Sequence, residues 1–257
     1  MAIHPTAIID PTAEIGSDVT VGPYSLVGPR CRIGDRTEVM GHVCIDKDTV
    51  LGRECRIFPF ASLGADPQDL KYAGELTRLT LGDRVTVRES ATLHRGTAHG
   101  GGETRIGDDA LIMATVHVAH DCKIAREAIL SSYAVLAGHV SVGFQAIVSG
   151  SSAIHQFVRV GDHAFVGGMS GIVKDVPPFM IVAGIRDSVS VTPNIVGLKR
   201  RNFSPEAIAA ISGVFRILHN HRPLAAALAD AEGKYSDSEE ARAIIGFYRS
   251  SERGVYR

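Results

Sequence analysis

Residues 114–122 combine two histidines and a carboxylate in a segment that is otherwise small and aliphatic. A histidine accepts a proton near neutral pH, and a carboxylate partner fixes its tautomer and stabilises the imidazolium form. His120, which Asp121 follows directly, is therefore the best candidate for a general base. Because adjacent residues of a straight strand point to opposite faces, Asp121 reaches His120 only at a corner of the chain or from a neighbouring subunit. The alternative is a pair of ordinary surface histidines, His117 and His120, but His139 and His155 follow further along the chain and favour a shared site.

The composition excludes several functional classes. Lys and Arg total 27 and Asp and Glu total 28, so the net charge of −1 argues against nucleic-acid binding through bulk electrostatics. The four cysteines, Cys31, Cys44, Cys55 and Cys122, form no C-x-x-C pair, and neither a disulfide framework nor a zinc ribbon is indicated. The sequence has no run of about 18 apolar residues and no secretory signal at its start. We therefore expect a soluble, cytoplasmic protein without a transmembrane segment.

The elements that position these residues follow from an aliphatic residue at every sixth position. The first series is Ile3, Ile9, Ile15, Val21, Val27, Ile33, Val39, Ile45, Leu51, Ile57 and Leu63, and the same frame resumes at Leu81, Val87 and Leu93. After a change of phase the series continues at Ile106, Ile112, Val118, Ile124, Leu130, Leu136, Val142, Val148, Ile154, Val160, Val166 and Ile172. A period of six suits a chain that forms a short strand, turns a corner and repeats, which is the signature of a parallel β-helix. Three such strands per turn predict about nine triangular coils, stacked at roughly 4.8 Å.

Two insertions interrupt the repeat. Residues 64–80 preserve its phase, whereas residues 94–105 shift it. Long loops on a regular scaffold often carry function, although each could also be a simple solvated bulge. We expect residues 1–190 to form the β-helix that bears both loops.

The remainder, residues 191–257, is expected to form an α-helical domain. An irregular connector is expected at 179–203, after Pro177 and Pro178. Ser204 is then a helix N-cap, followed by proline and an acid in the first turn, and it predicts a helix of about 15 residues. Two further helices are expected within 224–231 and 238–249.

Seven motifs, taken together and in this order, resemble one family over almost the whole chain. They are QDLKYAGE at 68–75, HRGT at 94–97, HVAHDC at 117–122, LAGHV at 136–140, HQF at 155–157, DVPP at 175–178 and GLKRR at 197–201. The resemblance is to the acyl-(acyl-carrier-protein)–UDP-N-acetylglucosamine O-acyltransferases of bacterial lipid A synthesis, which are hexapeptide-repeat enzymes. It implies a mainly β fold, a left-handed parallel β-helix followed by a small α-helical C-terminal domain.

The resemblance also implies a reaction and its catalytic groups. The family transfers an (R)-3-hydroxyacyl chain from acyl carrier protein to the 3-hydroxyl of UDP-N-acetylglucosamine, without a metal or other cofactor. On this basis His120 is the base, Asp121 supports it, and the backbone N–H of Gly138 stabilises the oxyanion. The family's homotrimeric assembly is expected as well, with active sites between neighbouring chains.

Further positions match the family's substrate contacts. Those expected to contact the sugar or nucleotide are Asp69, Lys71, His117, His139 and Gln156, and those expected at the UDP end are Asn194 and Arg200. Arginine suits a diphosphate because its planar guanidinium forms directional, charge-assisted hydrogen bonds. Basic residues could also attract the acidic carrier protein, and the sequence does not assign them between these two anions.

Several alternatives remain open at the level of sequence. The histidines would also suit a zinc-dependent carbonic anhydrase of the same fold, which needs neutral imidazoles and an open coordination position. A non-enzymatic β-helix or a related N-acyltransferase is possible, and a 3-amino sugar could replace the hydroxyl acceptor. The stretch at 184–190 departs from the family pattern, so the length of the acyl chain is undetermined.

Overall fold

The computed structural model describes residues 2–185, 188–220 and 223–257, and its first 172 residues form a three-sided prism of short strands. Strands β1 to β26 are, in chain order, Ala2–Ile3, Ile8–Ile9, Glu14–Ile15, Thr20–Val21, Leu26–Val27, Arg32–Ile33, Glu38–Val39, Cys44–Ile45, Thr49–Leu51, Arg56–Ile57, Ser62–Ala65, Arg78–Leu81, Thr86–Val87, Thr92–His94, Glu103–Ile106, Leu111–Ile112, His117–Val118, Lys123–Ile124, Ile129–Leu130, Val135–Leu136, Ser141–Val142, Ile147–Val148, Ala153–Ile154, Arg159–Val160, Phe165–Val166 and Gly171–Ile172.

Every third strand pairs in parallel, which produces the three faces. Face one begins with β1 and β4, face two with β2 and β5, and face three with β3 and β6. The predicted aliphatic residues stack in register inside the prism; Val118, for example, lies between Leu93 and Leu136. The side chains of Leu93, Val118 and Leu136 are fully buried, whereas those of Ile3, Ile9 and Ile15 at the start of the series are only partly covered. The six-residue period therefore builds the core, as the sequence indicates.

Most corners of the prism, from Asp18 onward, contain a residue in the left-handed backbone region. Asp121, His139 and Phe157 occupy equivalent corners of successive coils, with φ of 61°, 62° and 65°. This conformation costs a non-glycine residue about 1–2 kcal/mol. Hydrogen bonds between coils offset the cost: His139 N donates to His120 O at 3.0 Å, and Phe157 N donates to Gly138 O at 3.1 Å. The corners thereby present side chains outward at a regular spacing.

Both insertions leave the prism at the corner between face two and face three, which we call the loop edge. Their irregular parts are 66–77 and 95–102, shorter than predicted because strands β11, β12 and β15 extend into them. The second contains a short 3-10 helix, Ala98–Gly100. The fully buried Arg95 binds the Gly64 carbonyl and the Asp66 carboxylate. Arg95 therefore joins the two loops to each other.

The expected irregular connector at 179–203 is wrong for most of its length. Strands β27, Met180–Ile185, and β28, Ser188–Pro193, form an antiparallel pair, and β27 also extends face one. A short helix, α1, follows at Ile195–Arg200. The two prolines at 177 and 178 end the repeat but not the sheet, because β27 pairs with the exposed edge of the last coils. Arg186 and Asp187, within the unusual stretch at 184–190, lie outside the described residues.

Three further helices pack over this end of the prism. They are α2, Pro205–Leu218, α3, Leu224–Tyr235, and α4, Glu239–Arg249. Ser204 caps α2 as predicted, accepting a hydrogen bond from Ala207 N at 3.1 Å. The helices enclose a second core that includes Phe179 and Met180. Among the described residues, no helix combines the length and apolar character required to span a bilayer.

Candidate active site

His120 and Asp121 form a hydrogen-bonded pair at the loop edge. Their contact joins His120 Nδ1 and Asp121 Oδ2 at 2.8 Å. The left-handed φ of Asp121 makes this possible, because the corner turns two adjacent side chains toward each other. One of the two routes that the sequence left open, a corner of the chain, therefore supplies the geometry. With Nδ1–H donated to the carboxylate, Nε2 carries the lone pair that can accept a proton.

Thr97 holds the carboxylate of Asp121 in place. Its backbone N–H donates to Oδ1 at 2.9 Å and its hydroxyl donates to Oδ2 at 2.6 Å. The backbone N–H of Asp121 donates to Thr104 Oγ1 at 2.8 Å. Asp121 and Thr97 are both buried. The second loop thus fixes the orientation of the His120–Asp121 pair, a role that the sequence did not assign to Thr97.

Gly138 lies against the imidazole of His120 on the next coil. A Cβ built on Gly138 would lie 2.6 Å from His120 Cε1 and 2.7 Å from Nε2. Any side chain there would displace the ring. The backbone N–H of Gly138 has no hydrogen-bond acceptor among the described residues. It is therefore free to donate to a charge that develops next to His120 Nε2.

Asp69 and His139 lie close to His120, and we call the space around these three residues the His120 pocket. Asp69 belongs to the first loop and bonds His99 of the second, with Oδ2 to Nε2 at 3.2 Å. The backbone N–H of Lys71 donates to Asp69 Oδ1 at 3.0 Å and lowers the pKa of that carboxyl. His139 meets His120 edge to face with ring centroids 5.2 Å apart, and burial lowers the pKa of His139.

His94 and His117 form a second histidine contact beside the first. Their ring centroids are 5.0 Å apart, and His117 Nδ1 bonds Thr92 Oγ1 at 2.8 Å. Burial is the main cause that lowers the pKa of His94 to about 4, and burial lowers the pKa of His117 as well. His94 belongs to the HRGT motif, but the sequence predicts no role for it. The signal in the sequence that could have identified it is its position at the start of the insertion that shifts the repeat.

The remaining predicted contacts are not brought to the His120 pocket within one chain. Gln156 is exposed on the loop edge. Asn194 caps α1, accepting from Gly197 N at 3.1 Å, and its Nδ2 donates to His163 O at 3.1 Å. Arg200 and Asn194 line a separate cavity of about 290 Å³ on face one. Within a single chain, the residues expected at the UDP end therefore lie on a different part of the surface from the His120 pocket.

A metal is a poor fit to the cluster at the pocket. His120, Asp121 and His139 each offer a ligand atom, and these atoms lie within 4.8 Å of one another. However, the oxygens of Asp121 already accept hydrogen bonds from Thr97 and His120. A cation would have to replace these donors. The arrangement thus suits a base with its supporting carboxylate better than the zinc site of the carbonic anhydrase alternative.

Comparison with known proteins finds one family over both parts of the chain. Residues 175–256 match the family model described as UDP N-acetylglucosamine O-acyltransferase, domain 2, and residues 103–138 match the bacterial transferase hexapeptide model of six repeats. The chain is 38% identical to UDP-N-acetylglucosamine O-acyltransferase from Moraxella catarrhalis RH4, with a TM-score of 0.96 and 100% of both chains covered. It is 37% identical to the UDP-N-acetylglucosamine acyltransferase from Bacteroides fragilis 9343, with a TM-score of 0.96 and 99% of both chains covered.

These similarities extend over both parts of the chain. They confirm the predicted fold class, a left-handed parallel β-helix followed by a small α-helical C-terminal domain. The chain therefore belongs to the UDP-N-acetylglucosamine O-acyltransferase family.

Proposed function

We propose that the chain transfers an (R)-3-hydroxyacyl group from acyl carrier protein to the 3-hydroxyl of UDP-N-acetylglucosamine, the first step of lipid A biosynthesis. The observation that carries this proposal is the His120–Asp121 pair, whose outer nitrogen lies beside the unbonded N–H of Gly138. A base and an oxyanion donor at one point are the two groups that acyl transfer from a thioester needs.

The geometry supports direct transfer. His120 Nε2 accepts the proton of the sugar hydroxyl, and the oxygen attacks the thioester carbonyl. The Gly138 N–H donates to the resulting oxyanion, and Asp121 stabilises the imidazolium. When the tetrahedral intermediate collapses, the carbon–sulfur bond breaks and the thiolate takes the proton back from His120. The thioester is already activated, so the reaction needs no cofactor.

The neighbouring histidines support this cycle electrostatically. Burial lowers the pKa of His94, His117 and His139, so all three are uncharged near neutral pH. Uncharged neighbours do not repel the imidazolium that forms at His120. They can also donate or accept hydrogen bonds with the sugar hydroxyls.

We also propose that three chains assemble around face two. The outward residues of its strands carry no charge: Ile8, Leu26, Cys44, Ser62, Thr92, His117, Val135, Ala153 and Gly171. Large apolar side chains are exposed on the adjoining corner between faces one and two, namely Tyr24, Phe60, Tyr133 and Met169. Such an uncharged surface is typical of an interface. In a threefold assembly, Asn194 and Arg200 of one chain would complete the His120 pocket of another.

The proposed substrates are water-soluble, a nucleotide sugar and an acidic carrier protein, and we therefore place the reaction in the cytoplasm. The same base could acylate a 3-amino sugar and form an amide. The mass of the product identifies both the acceptor and the length of the acyl chain.

The test is a mass-spectrometric assay of purified protein with UDP-N-acetylglucosamine, its 3-amino analogue and a panel of 3-hydroxyacyl carrier proteins. We expect the 3-O-acyl product, at an undiminished rate after dialysis against a chelator. His120→Ala removes the base, and His4→Ala is the matched control because His4 is exposed at the far end of the prism. No product from wild-type protein, or equal rates with and without His120, would contradict the proposal.

A further inference from the structure

Face three carries a groove of about 660 Å³ that the reaction described above does not use. Its floor is the outward side of β15, β18, β21 and β24, and one wall is helix α4. Four cations line it, Arg105, Lys123, Arg126 and Arg159. Asp108 and Asp162 line it as well, so its charge depends on which of these groups are paired.

Two of these cations have no partner. Arg105 and Lys123 are exposed, and neither makes an ion pair or side-chain hydrogen bond with the described residues. Arg126 and Arg159, by contrast, are paired with Glu127 and Asp175. Elsewhere on the prism, exposed arginines pair regularly with acids one coil away, as Arg30 does with Asp48. The absence of such acids beside Arg105 and Lys123 leaves their charge available to another molecule.

The groove also contains two acids, Asp108 and Asp162. Asp108 Oδ1 accepts a hydrogen bond from Asp83 N at 2.9 Å, and Asp162 Oδ1 accepts one from Phe144 N at 2.7 Å, so both carboxylates are held at corners of the prism by backbone donors. Arg105 and Lys123 lie opposite each other in register on β15 and β18, and they are the positive charges that no acid among the described residues pairs.

We propose that this groove docks the acyl carrier protein, by binding an acidic helix of that protein across β15, β18 and β21. The inference rests on the proposed function and names the surface that delivers the thioester. Residues Arg105, Lys123, Ser141 and Arg159 are aligned on successive strands. Their rungs are roughly 4.8 Å apart. Carboxylates on one side of a helix recur at about 5–6 Å, so a helix lying across the strands matches this column.

The surroundings suit a protein helix better than a free anion. Phe247 and Ala243 of α4 form an apolar wall, and the Phe247 ring stacks under the guanidinium of Arg159, 4.5 Å from ring centroid to carbon. A helix could bury apolar residues against this wall while its acids face the cations. A free phosphate would leave the wall exposed.

The groove also lies close to the proposed base, His120. Lys123 follows His120 by three residues, so their Cα atoms are at most about 11 Å apart. The flexible pantetheine arm of a carrier protein docked on β18 would reach across the loop edge to Gly138. Face three carries charged outward residues on β3, β6, β15, β18 and β24 and is not the surface that we propose for assembly, so it stays open in a trimer.

The experiment compares wild-type protein with the double variant Arg105→Glu and Lys123→Glu. We expect KM for the acyl carrier protein to rise about tenfold or more, because like charges would now face each other. We expect KM for UDP-N-acetylglucosamine and for the acyl-pantetheine thioester, which lacks the protein, to change less than about twofold. Arg32→Glu, in the same outward column of face three but three rungs away, is the matched control.

Direct binding of fluorescent apo-carrier protein separates docking from catalysis. Wild-type protein should bind it with an affinity that weakens with salt, and the double variant should lose about tenfold. Unchanged binding and unchanged KM would overturn the proposal. A rise in KM for the nucleotide sugar would instead assign the groove to its diphosphate, and an equal rise for acyl-pantetheine would assign it to the arm. If wild-type protein binds the carrier but makes no product, the proposed function fails and the docking surface stands.

Discussion

The hydroxyl of Thr97 donates to the same carboxylate oxygen of Asp121 that receives the Nδ1–H of His120. A residue of the second loop therefore orients the proposed base, His120, through the carboxylate of Asp121. This relationship connects the loop that interrupts the repeat with the proposed chemistry.

Replacing Thr97 should test this positioning role. Thr97→Val keeps the shape and removes the hydroxyl, and we expect kcat to fall about tenfold while KM for the sugar changes little. Thr97→Ser restores the donor and should keep at least about half the activity. Steady-state kinetics and the pH profile of kcat are the measurements. A Val variant with wild-type kcat would show that the backbone donor of Thr97 alone is sufficient.

The base itself should be indispensable. His120→Ala should lower turnover by at least about 100-fold, and Asp121→Asn should also lower it because the amide no longer favours Nδ1–H on the imidazole. Circular dichroism and thermal unfolding should show that His120→Ala remains folded, since the ring lies outside the aliphatic core of the prism. Near-normal turnover in this variant would remove His120 from the mechanism.

Gly138 should tolerate no side chain. In Gly138→Ala the new methyl would meet the His120 ring at 2.6–2.7 Å. We expect a loss of kcat of about 100-fold from the displaced base, with a modest loss of stability. Gly41→Ala is the control, because it has the same position in the repeat but its Cβ would meet only Pro23, at 3.2 Å. Equal activities of the two variants would contradict the role of Gly138.

Stability should fall with acid in a way that depends on His94. The pKa of His94 is about 4 in the folded chain and about 6.5 when unfolded. The unfolded state therefore takes up the proton first, and the free energy of unfolding decreases as the pH falls from about 6.5 to 4. Thermal unfolding at several pH values should show a shallower decline for His94→Asn than for wild type. Parallel curves would show that folding does not lower the pKa of His94.

The regular parts of this molecule could be predicted because they repeat. Each aliphatic residue of the hexads is buried against its equivalents one coil away, so the period alone specifies the strand, the corner and the inward face. Ser204 marked the start of α2 in the same local way, through its cap. Strands β27 and β28 were not predictable in this way, because they lie outside the six-residue period and follow the two prolines that end it.

The candidate site was predictable only in part. The proximity of His120 and Asp121 in the chain made them visible, whereas Thr97 contacts Asp121 across 24 residues of irregular and repetitive sequence. Asn194 matched a substrate contact by motif, yet within one chain it caps a helix on a different face. Long-range contacts made by loops leave no periodic signal, and contacts between chains leave none at all.

The two ends of the prism are not equivalent. Toward the beginning of the chain, the inward-facing Ile3 is 40% exposed and Ile9 and Ile15 are half-buried, whereas the other end is covered by β27 and the helices. A stack in which each layer contacts only its neighbours loses structure from its weaker end. Amide exchange should therefore be fastest in the first coils and slow toward the middle. The coil that carries His120 can keep its shape while the beginning of the stack frays.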